Sequence, residues 1–460
     1  MPEHITARTQ RRTYAVPPAL KRVHEAARKD KELRFTALLH HVTPELLGDR
    51  FRAMNKRAAA GIDGVTWEDY ALGLEEKLQD LHGRIHRGAY RTQASRRTYI
   101  PKADGRLRPL GIAALEEKLT QGAVVEVLNA IYEADFLGFS YGFRPGRSQH
   151  DALDALCVGV TARKVSWVLD ADIRGFFDTI DHECLMQFVE HRIADPRVLR
   201  LIRTWLAAGV MEEGSWHATE VGTPQGATIS PLLANIYLHY VLDLWVEHWR
   251  ETAARGEVVV VRYADDFVVG FQHRDDAVRF PEALTARLRQ FHLELHPDKT
   301  RLIEFGRFAG ENRQRRGEPD PETFDFLGFT HICGKSREGR FQVIRHSSRK
   351  RVSAKLKAIY VELKRRRHEG IPVLGKWLGR VVGGFNNYHA VPNNIRAISG
   401  FRRVVLKLWV KVLRRRSQKH HLTWERIARL AEKWLPQPRI LHPWPAERLN
   451  VIIQGRSPVR

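Results

Sequence analysis

Only three cysteines occur in 460 residues, Cys157, Cys184 and Cys333, and no two of them form a Cys-x-x-Cys pair. That spacing excludes a disulfide framework and a cysteine-built zinc site, which leaves small buried hydrophobes as their expected role. Long apolar runs are also missing. No stretch of about 18 apolar residues is there to span a bilayer, and the polar, charged N-terminus lacks the apolar core of a secretory signal. The expectation is therefore a cytoplasmic protein with no membrane partner. A third absence is regional: residues 331–460 hold no aspartate and only six glutamates against 31 lysines and arginines. Residues 1–330 are nearly balanced, with 45 basic and 47 acidic side chains, so the net charge of +23 belongs to the C-terminal part. This asymmetry points to polyanion binding at one end and to chemistry that needs carboxylates at the other.

What is present divides along the chain. Residues 1–60 predict basic helices, with apolar positions at helical spacing through Leu33, Leu38, Leu39 and Leu46. From Tyr99 to about Phe329, short β-branched runs such as Val258–Val261 alternate with helical stretches such as Leu232 to Trp249, which predicts an α+β domain. Gly310 to Asp320 is polar and rich in Arg and Gly, and is expected to be a surface loop. Beyond Ser347 the pattern is almost purely helical, with Arg and Lys opposite Leu, Ile, Val and Trp, until Pro436, Pro438, Pro443 and Pro445 mark an irregular tail.

Two acid-bearing segments carry the chemistry. Val258 to Phe271 consists of two apolar strand-like runs interrupted by Tyr263-Ala264-Asp265-Asp266, a hairpin with acids at its tip. Adjacent acids fixed by apolar strands repel each other at a desolvation cost unless a cation offsets it. The second segment, Trp167 to Ile180, runs as an apolar strand into Asp170 and Asp172, followed by Phe176 and Phe177. Strand alternation puts Asp170 and Asp172 on one side, and either one can face a hairpin paired alongside. Three carboxylates gathered in this way suit two Mg²⁺ ions about 4 Å apart, one activating a 3′-hydroxyl and one stabilising a pyrophosphate leaving group. An oxygen-only donor set favours hard Mg²⁺ over zinc.

A series of blocks in order along the chain turns this into a family resemblance. They are Ile100 to Ile112, Ser140 to Ser148, the Asp172 segment, Gly222 to Pro231, the Tyr263 box, His296-Pro297-Asp298-Lys299-Thr300 and Phe326-Leu327-Gly328-Phe329. Over roughly residues 55–330 the chain resembles the group II intron reverse transcriptases. The resemblance implies a right-hand polymerase: fingers and palm over 61–330, an antiparallel palm sheet carrying the acids, and an α-helical thumb or maturase domain over 345–445. An N-terminal extension over 1–60 and a tail over 446–460 complete the division. It implies Asp172, Asp265 and Asp266 as catalytic and metal-binding acids, with Asp170 a bystander. Lys102 and Arg108 match the residues that clamp the incoming triphosphate, and Phe177 matches the aromatic that excludes a 2′-hydroxyl. Gln225, in the Thr223–Gly226 turn, matches a contact to nucleotide or template, and Ala227 stands where a second glycine is usual. Lys299 matches a lysine near the pyrophosphate that acts as a general acid.

In the basic region, Lys364-Arg365-Arg366-Arg367 and Arg414-Arg415-Arg416, with Lys419, interleave with Trp377, Phe385, Tyr388, Phe401 and Trp409. Bases there bind phosphate, and each aromatic is expected to be core rather than a stacking platform. The implied partners are intron RNA, an RNA template with a DNA primer, dNTPs and target DNA, and the implied setting is a bacterial ribonucleoprotein or the nucleoid. Many relatives carry a C-terminal nuclease with paired Cys and His. The expectation is that this chain lacks one and depends on an existing 3′ end as primer. A reverse transcriptase of the same stock serving phage defence or spacer acquisition remains an alternative. An RNA-binding splicing factor with a decayed polymerase is disfavoured by the intact acids, and a viral RNA polymerase by Phe177.

Overall fold

The computed structural model of the chain describes residues 15–101, 107–212, 215–217, 222, 226–416 and 422–452. Its strands, in chain order, are β1 (Ser95–Pro101), β2 (Leu107–Ile112), β3 (Trp167–Asp172), β4 (Val210–Glu212), β5 (Ser215–His217), β6 (Val258–Tyr263), β7 (Asp266–Phe271), β8 (Arg301–Glu304), β9 (Phe324–Phe326), β10 (Phe329–Lys335) and β11 (Phe341–Ser347). They form three sheets, ordered β2-β1-β4-β5, β6-β7-β3-β8 and β11-β10-β9. The central sheet is antiparallel throughout, and its β-branched runs and alternating residues separate two cores. Val260, Phe267, Val269, Phe271, Leu169 and Ala171 face a large helical core that includes the long helix Leu115–Asp135 and the stretch from Ser230 to Thr252. Val259, Val261, Val268 and Val168 face the other way, towards a smaller core shared with Phe324, Phe326, Phe329 and Val343 of the third sheet.

The helix from Ser230 is interrupted by a π-helical segment, His239–Asp243, before it resumes as Leu244–Thr252. Single π turns inside α-helices shift the side-chain register and often occur at functional sites. Here the shift brings Asp243 into the protein interior, where it is fully buried.

The C-terminal helices Arg349–Arg365, Ile371–His389, Ile395–Arg414 and Trp424–Trp434 enclose a third core built on Leu374, Leu378, Phe401 and Trp409. Phe385 and Phe401 stack with ring centroids 3.7 Å apart, so these aromatics are core, as their helical spacing predicts. No helix among the described residues is long and apolar enough to cross a membrane. The three cysteines are free, Cys157 buried and the other two half-buried.

Three segments differ from the sequence reading. Leu33 and Leu38 do not continue an α-helix, because the α-helix beginning at Lys21 ends at Lys29 and the next begins at Pro44, with only a single 3-10 turn, Leu39–His41, between them. Side chains replace the helical bonds in between: Arg192 donates to the carbonyls of Ala27, Asp30 and Leu33, and Asp195 accepts from the Leu38 and Leu39 N–H groups. Gly310 to Asp320 is not all loop, since Ala309–Arg315 is helical, seated by buried Ala309 and closed by the Arg316 pairs with Glu304 and Glu318. Pro445 does not belong to an irregular tail. It starts the helix Pro445–Ile452, the position where proline's missing N–H costs nothing, and that helix packs on Gln149–Ala162. There Arg448 reaches buried Asp154, Nε to Oδ2 2.9 Å, alongside Arg345 from β11 at 2.8 Å.

Candidate active site

The Tyr263 box folds as a two-residue hairpin between β6 and β7, with Tyr263 paired to Asp266 and the turn made by Ala264 and Asp265. Ala264 takes φ 58°, the left-handed conformation such tight turns demand. Against this turn lies the Ser140–Phe143 loop. A Cβ on Gly142 would fall 2.2 Å from the Ala264 nitrogen, so only glycine permits the approach. In the sheet, Asp172 at the end of β3 stands directly opposite Asp266 at the start of β7. Alternation carries both to the face shared by Val168 and Val268, away from the helical core.

Asp266's carboxyl is pushed up to about 7, first by burial and then by the charges of Asp265 and Asp172, with Arg351 acting in the opposite direction. Lys299 forms an ion pair with Asp172 through its Nζ and Oδ2. It is placed there by the His296–Thr300 turn, whose His296 N–H donates to the Asp172 carbonyl at 2.7 Å. Asp170 lies one step back, opposite Val268 and Arg301, and its carboxyl is raised to about 6 mainly by burial. It has no cross-strand acid partner.

The aromatic neighbours divide their roles by burial. Phe176 is 2% exposed and belongs to the core, whereas Phe177 is half-buried and meets Phe143 edge-on with centroids 6.4 Å apart. Phe143 is 51% exposed, holds φ 59° and lies 6.4 Å from the Tyr263 ring. Nothing in the sequence pattern had singled it out. Gly222 and Gly226 stand on either side of residues 223–225 in the sequence. A Cβ on Gly222 would meet the Phe177 carbonyl at 2.8 Å, and one on Gly226 the Gly111 carbonyl of β2 at 2.5 Å. Gly222 thus lies against the Phe177 segment and Gly226 against β2, while Gln121 accepts from the Thr228 N–H at 2.9 Å. Gln225 itself, Lys102 and Lys419 lie outside the described residues, as does the side chain of Arg108, whose backbone pairs with Ile100.

Among the described residues, no group of three or more His, Cys, Asp or Glu side chains stands ready to hold a metal ion. The arrangement is a cross-strand carboxylate pair with a third acid next to it in the turn, all oxygen donors carrying excess negative charge. An all-oxygen donor set of this kind favours a hard divalent cation that keeps part of its shell for substrate oxygens.

On the helical domain the predicted cations differ in availability. Arg365 is exposed but paired bidentately with Glu362. Arg366 is committed to Glu369 and lies over the Trp377 ring at 5.1 Å. Arg414 and Arg415 are exposed, and Arg416 is half-buried, its charge disfavoured by desolvation. Beside the predicted Arg414, the same face of Ile395–Arg414 carries Arg396, Arg403, Lys407 and Lys411, all exposed at helical spacing with no acid among them, a stripe whose four residues sequence reasoning had not named. Lys411 and, from the neighbouring helix, Lys364 flank the Tyr360 ring at 5.1 and 4.5 Å.

Residues 100–331, about half the chain, match the reverse transcriptase (RNA-dependent DNA polymerase) family. The chain belongs to that family and is by class an RNA-directed DNA polymerase. Protein YkfC of Escherichia coli K12 is 34% identical over 353 residues, covering 69% of this chain and 88% of YkfC. The group II intron-encoded protein LtrA of Lactococcus lactis subsp. cremoris is 36% identical over 243 residues, 51% of this chain but only 40% of LtrA. A putative COX1/OXI3 intron 2 protein of Saccharomyces cerevisiae is 33% identical over 201 residues, 44% of this chain and 23% of its own length. The latter two relatives, together with the family match, agree with the resemblance to group II intron reverse transcriptases and maturases read from the motifs.

Proposed function

We propose that the chain copies RNA into DNA by adding dNTPs to a primer 3′-hydroxyl and also binds its intron RNA, assisting splicing and supporting retrohoming into target DNA. The observation that carries the polymerase reading is the cross-strand register of Asp172 and Asp266, with Asp265 in the adjoining turn and Lys299 at Asp172. When bound to Asp172, Asp265 and Asp266, two Mg²⁺ ions would lower the pKa of the primer hydroxyl and offset the charge of the departing pyrophosphate. The protein's part is placement. The rigid hairpin fixes the carboxylates before substrate arrives, which removes reorganisation from the reaction step. Half-buried Phe177 occupies the volume a 2′-hydroxyl needs. Lys102 and Arg108 hold the triphosphate, Gln225 contacts nucleotide or template, and Lys299 supplies a proton to pyrophosphate once the substrate has displaced it from Asp172. In this reading residues 61–330 are fingers and palm, and 345–445 are a thumb whose basic stripe follows RNA phosphates.

Extension of a DNA primer annealed to an RNA template, with Mg²⁺ and dNTPs, tests the reading. The wild-type chain should extend the primer, and Asp172→Ala or Asp265→Ala should abolish extension while leaving RNA affinity largely intact. More than a trace of activity in either variant would remove the catalytic assignment.

A further inference from the structure

Arg262 precedes the Tyr263 box and is the one charged residue in the Val258–Tyr263 strand, yet its guanidinium is completely buried. Strand alternation directs it to the helical face, opposite to the face that carries Asp172 and Asp266. There its donors are satisfied on four sides. Nε and Nη2 grip Asp243 at 2.7 and 2.5 Å, Nη2 also donates to Ser140 Oγ at 2.7 Å, and Nη1 donates to Asn235 Oδ1 and to the Ala264 carbonyl, both at 3.0 Å. The last of these is a bond to the backbone of the catalytic turn itself. Asn235 then uses its amide to hold the Gly142 carbonyl at 2.7 Å, and Gly142 is the residue pressed against Ala264. The Arg262 main chain completes the frame, donating to Phe139 O at 2.9 Å and accepting from Tyr141 N at 2.8 Å.

A buried ion pair is weak evidence for stability, because the desolvation of both charges offsets most of their attraction. What this one supplies is position. A planar fork with five fixed donors meets acceptors on the π segment, the Ser230–Leu238 helix, the Ser140 loop and the hairpin turn, which pins four separate elements to one plane. We propose that Arg262, seated by Asp243 and Asn235, is a positioning residue for polymerisation: it sets the orientation of the Ala264–Asp265 turn, and through it the geometry with which the carboxylates receive divalent cations and substrate. This inference rests on the polymerase reading above.

The test uses the full-length protein on a primer and RNA template. Arg262→Lys keeps the charge and loses the fork. It should fold and bind primer–template normally, but show a 10- to 100-fold lower kcat, the scale expected of a misplacement of about 1 Å. KM for dNTP should stay within about twofold, and the Mg²⁺ concentration for half-maximal rate should rise several-fold, because the turn's acids are misaimed while the nucleotide contacts are untouched. A purely structural role would lower the folded fraction and leave the kcat and Mg²⁺ dependence of the folded enzyme unchanged, and that result overturns the proposal. Should Arg262→Lys fail to fold, Asn235→Ala takes its place. It leaves the Arg262–Asp243 pair intact and removes one acceptor from Nη1 and the tie to Gly142. Its wild-type kcat and Mg²⁺ requirement would overturn the proposal equally, and a lowered kcat with raised Mg²⁺ requirement would support it. An inactive wild-type chain would instead count against the polymerase reading, so the two failures are distinguishable.

Discussion

Acid should loosen the seam between Gln149–Ala162 and the C-terminal residues, and His150 is where the effect can be isolated. Its ring lies 4.0 Å from His442 and 5.0 Å from Tyr388, and both ring nitrogens are buried without a hydrogen-bond partner among the described residues. The groups around it are mostly cationic or become so: Arg448, Arg345, His442 and His389, with Asp154 one turn along the same helix. Burial, then these charges, push the His150 pKa down to about 2, and burial pushes His389 down to about 4. A histidine whose folded pKa lies below its unfolded value of about 6.5 contributes stability that is full above that pH and is lost as pH falls. About 1.5 pH units below that value, at about pH 5, His150 alone has lost about 2 kcal/mol, a sizeable share of a stability of about 5–15 kcal/mol. His150→Phe keeps a flat ring against His442 and Tyr388 and removes the titration. Urea unfolding of both proteins at about pH 7 and about pH 5 should show the wild type losing about 2 kcal/mol more between the two conditions than the variant. An identical loss in both would refute the reasoning, because it would mean that His150 is protonated without cost or is already released from the seam.

Two further outcomes follow from the site and the stripe. Phe177→Val should raise NTP use relative to dNTP by about tenfold or more, measured as the ratio of single-nucleotide kcat/KM values, and unchanged sugar selectivity would return Phe177 to a packing role. Replacing Arg403, Lys407 and Lys411 together with Gln should weaken RNA binding and flatten the plot of log affinity against log salt by roughly 2 to 3 units, with single-nucleotide addition at low salt less affected. An unaltered slope would place the phosphate contacts elsewhere.

The acids were legible because their signal is local: consecutive charges between two β-branched runs leave few folds that do not put them at a hairpin tip. The pairing of Asp172 with Asp266 rather than Asp170 was not legible from alternation alone, since alternation gives both residues the same face and register is a tertiary property. Arg262 was visible as a letter and overlooked as a signal. A lone arginine inside a run of valines, at the parity of Val260, announces either an edge or a buried ion pair, and only the π turn that delivers Asp243 decides between them. The apolar spacing misled from Leu33 to Leu39, though not at Leu46, because side chains of distant residues, Arg192 and Asp195, took over backbone bonds that an α-helix would otherwise make. The free cations of the C-terminal domain were hidden by the conspicuous ones. The arginine runs drew attention, while in the structure Arg365 and Arg366 are occupied by Glu362 and Glu369, and the evenly spaced stripe is open.

The position of Arg448 on Asp154 also sets a timetable for synthesis. Helix Gln149–Ala162 packs directly under β6, so the central sheet rests on it, yet Asp154 receives one arginine from β11 and the other from the Pro445–Ile452 helix. A ribosome moving at about 5–20 residues per second takes roughly 15 to 60 seconds to travel from the aspartate to Arg448. Throughout that interval Asp154 lacks the Arg448 guanidinium, and Gln149–Ala162 lacks the helix that packs on it. The strands of the central sheet form their ladders only with one another, between Trp167 and Glu304, so what waits for the last helix is the full neutralisation of Asp154 beneath them.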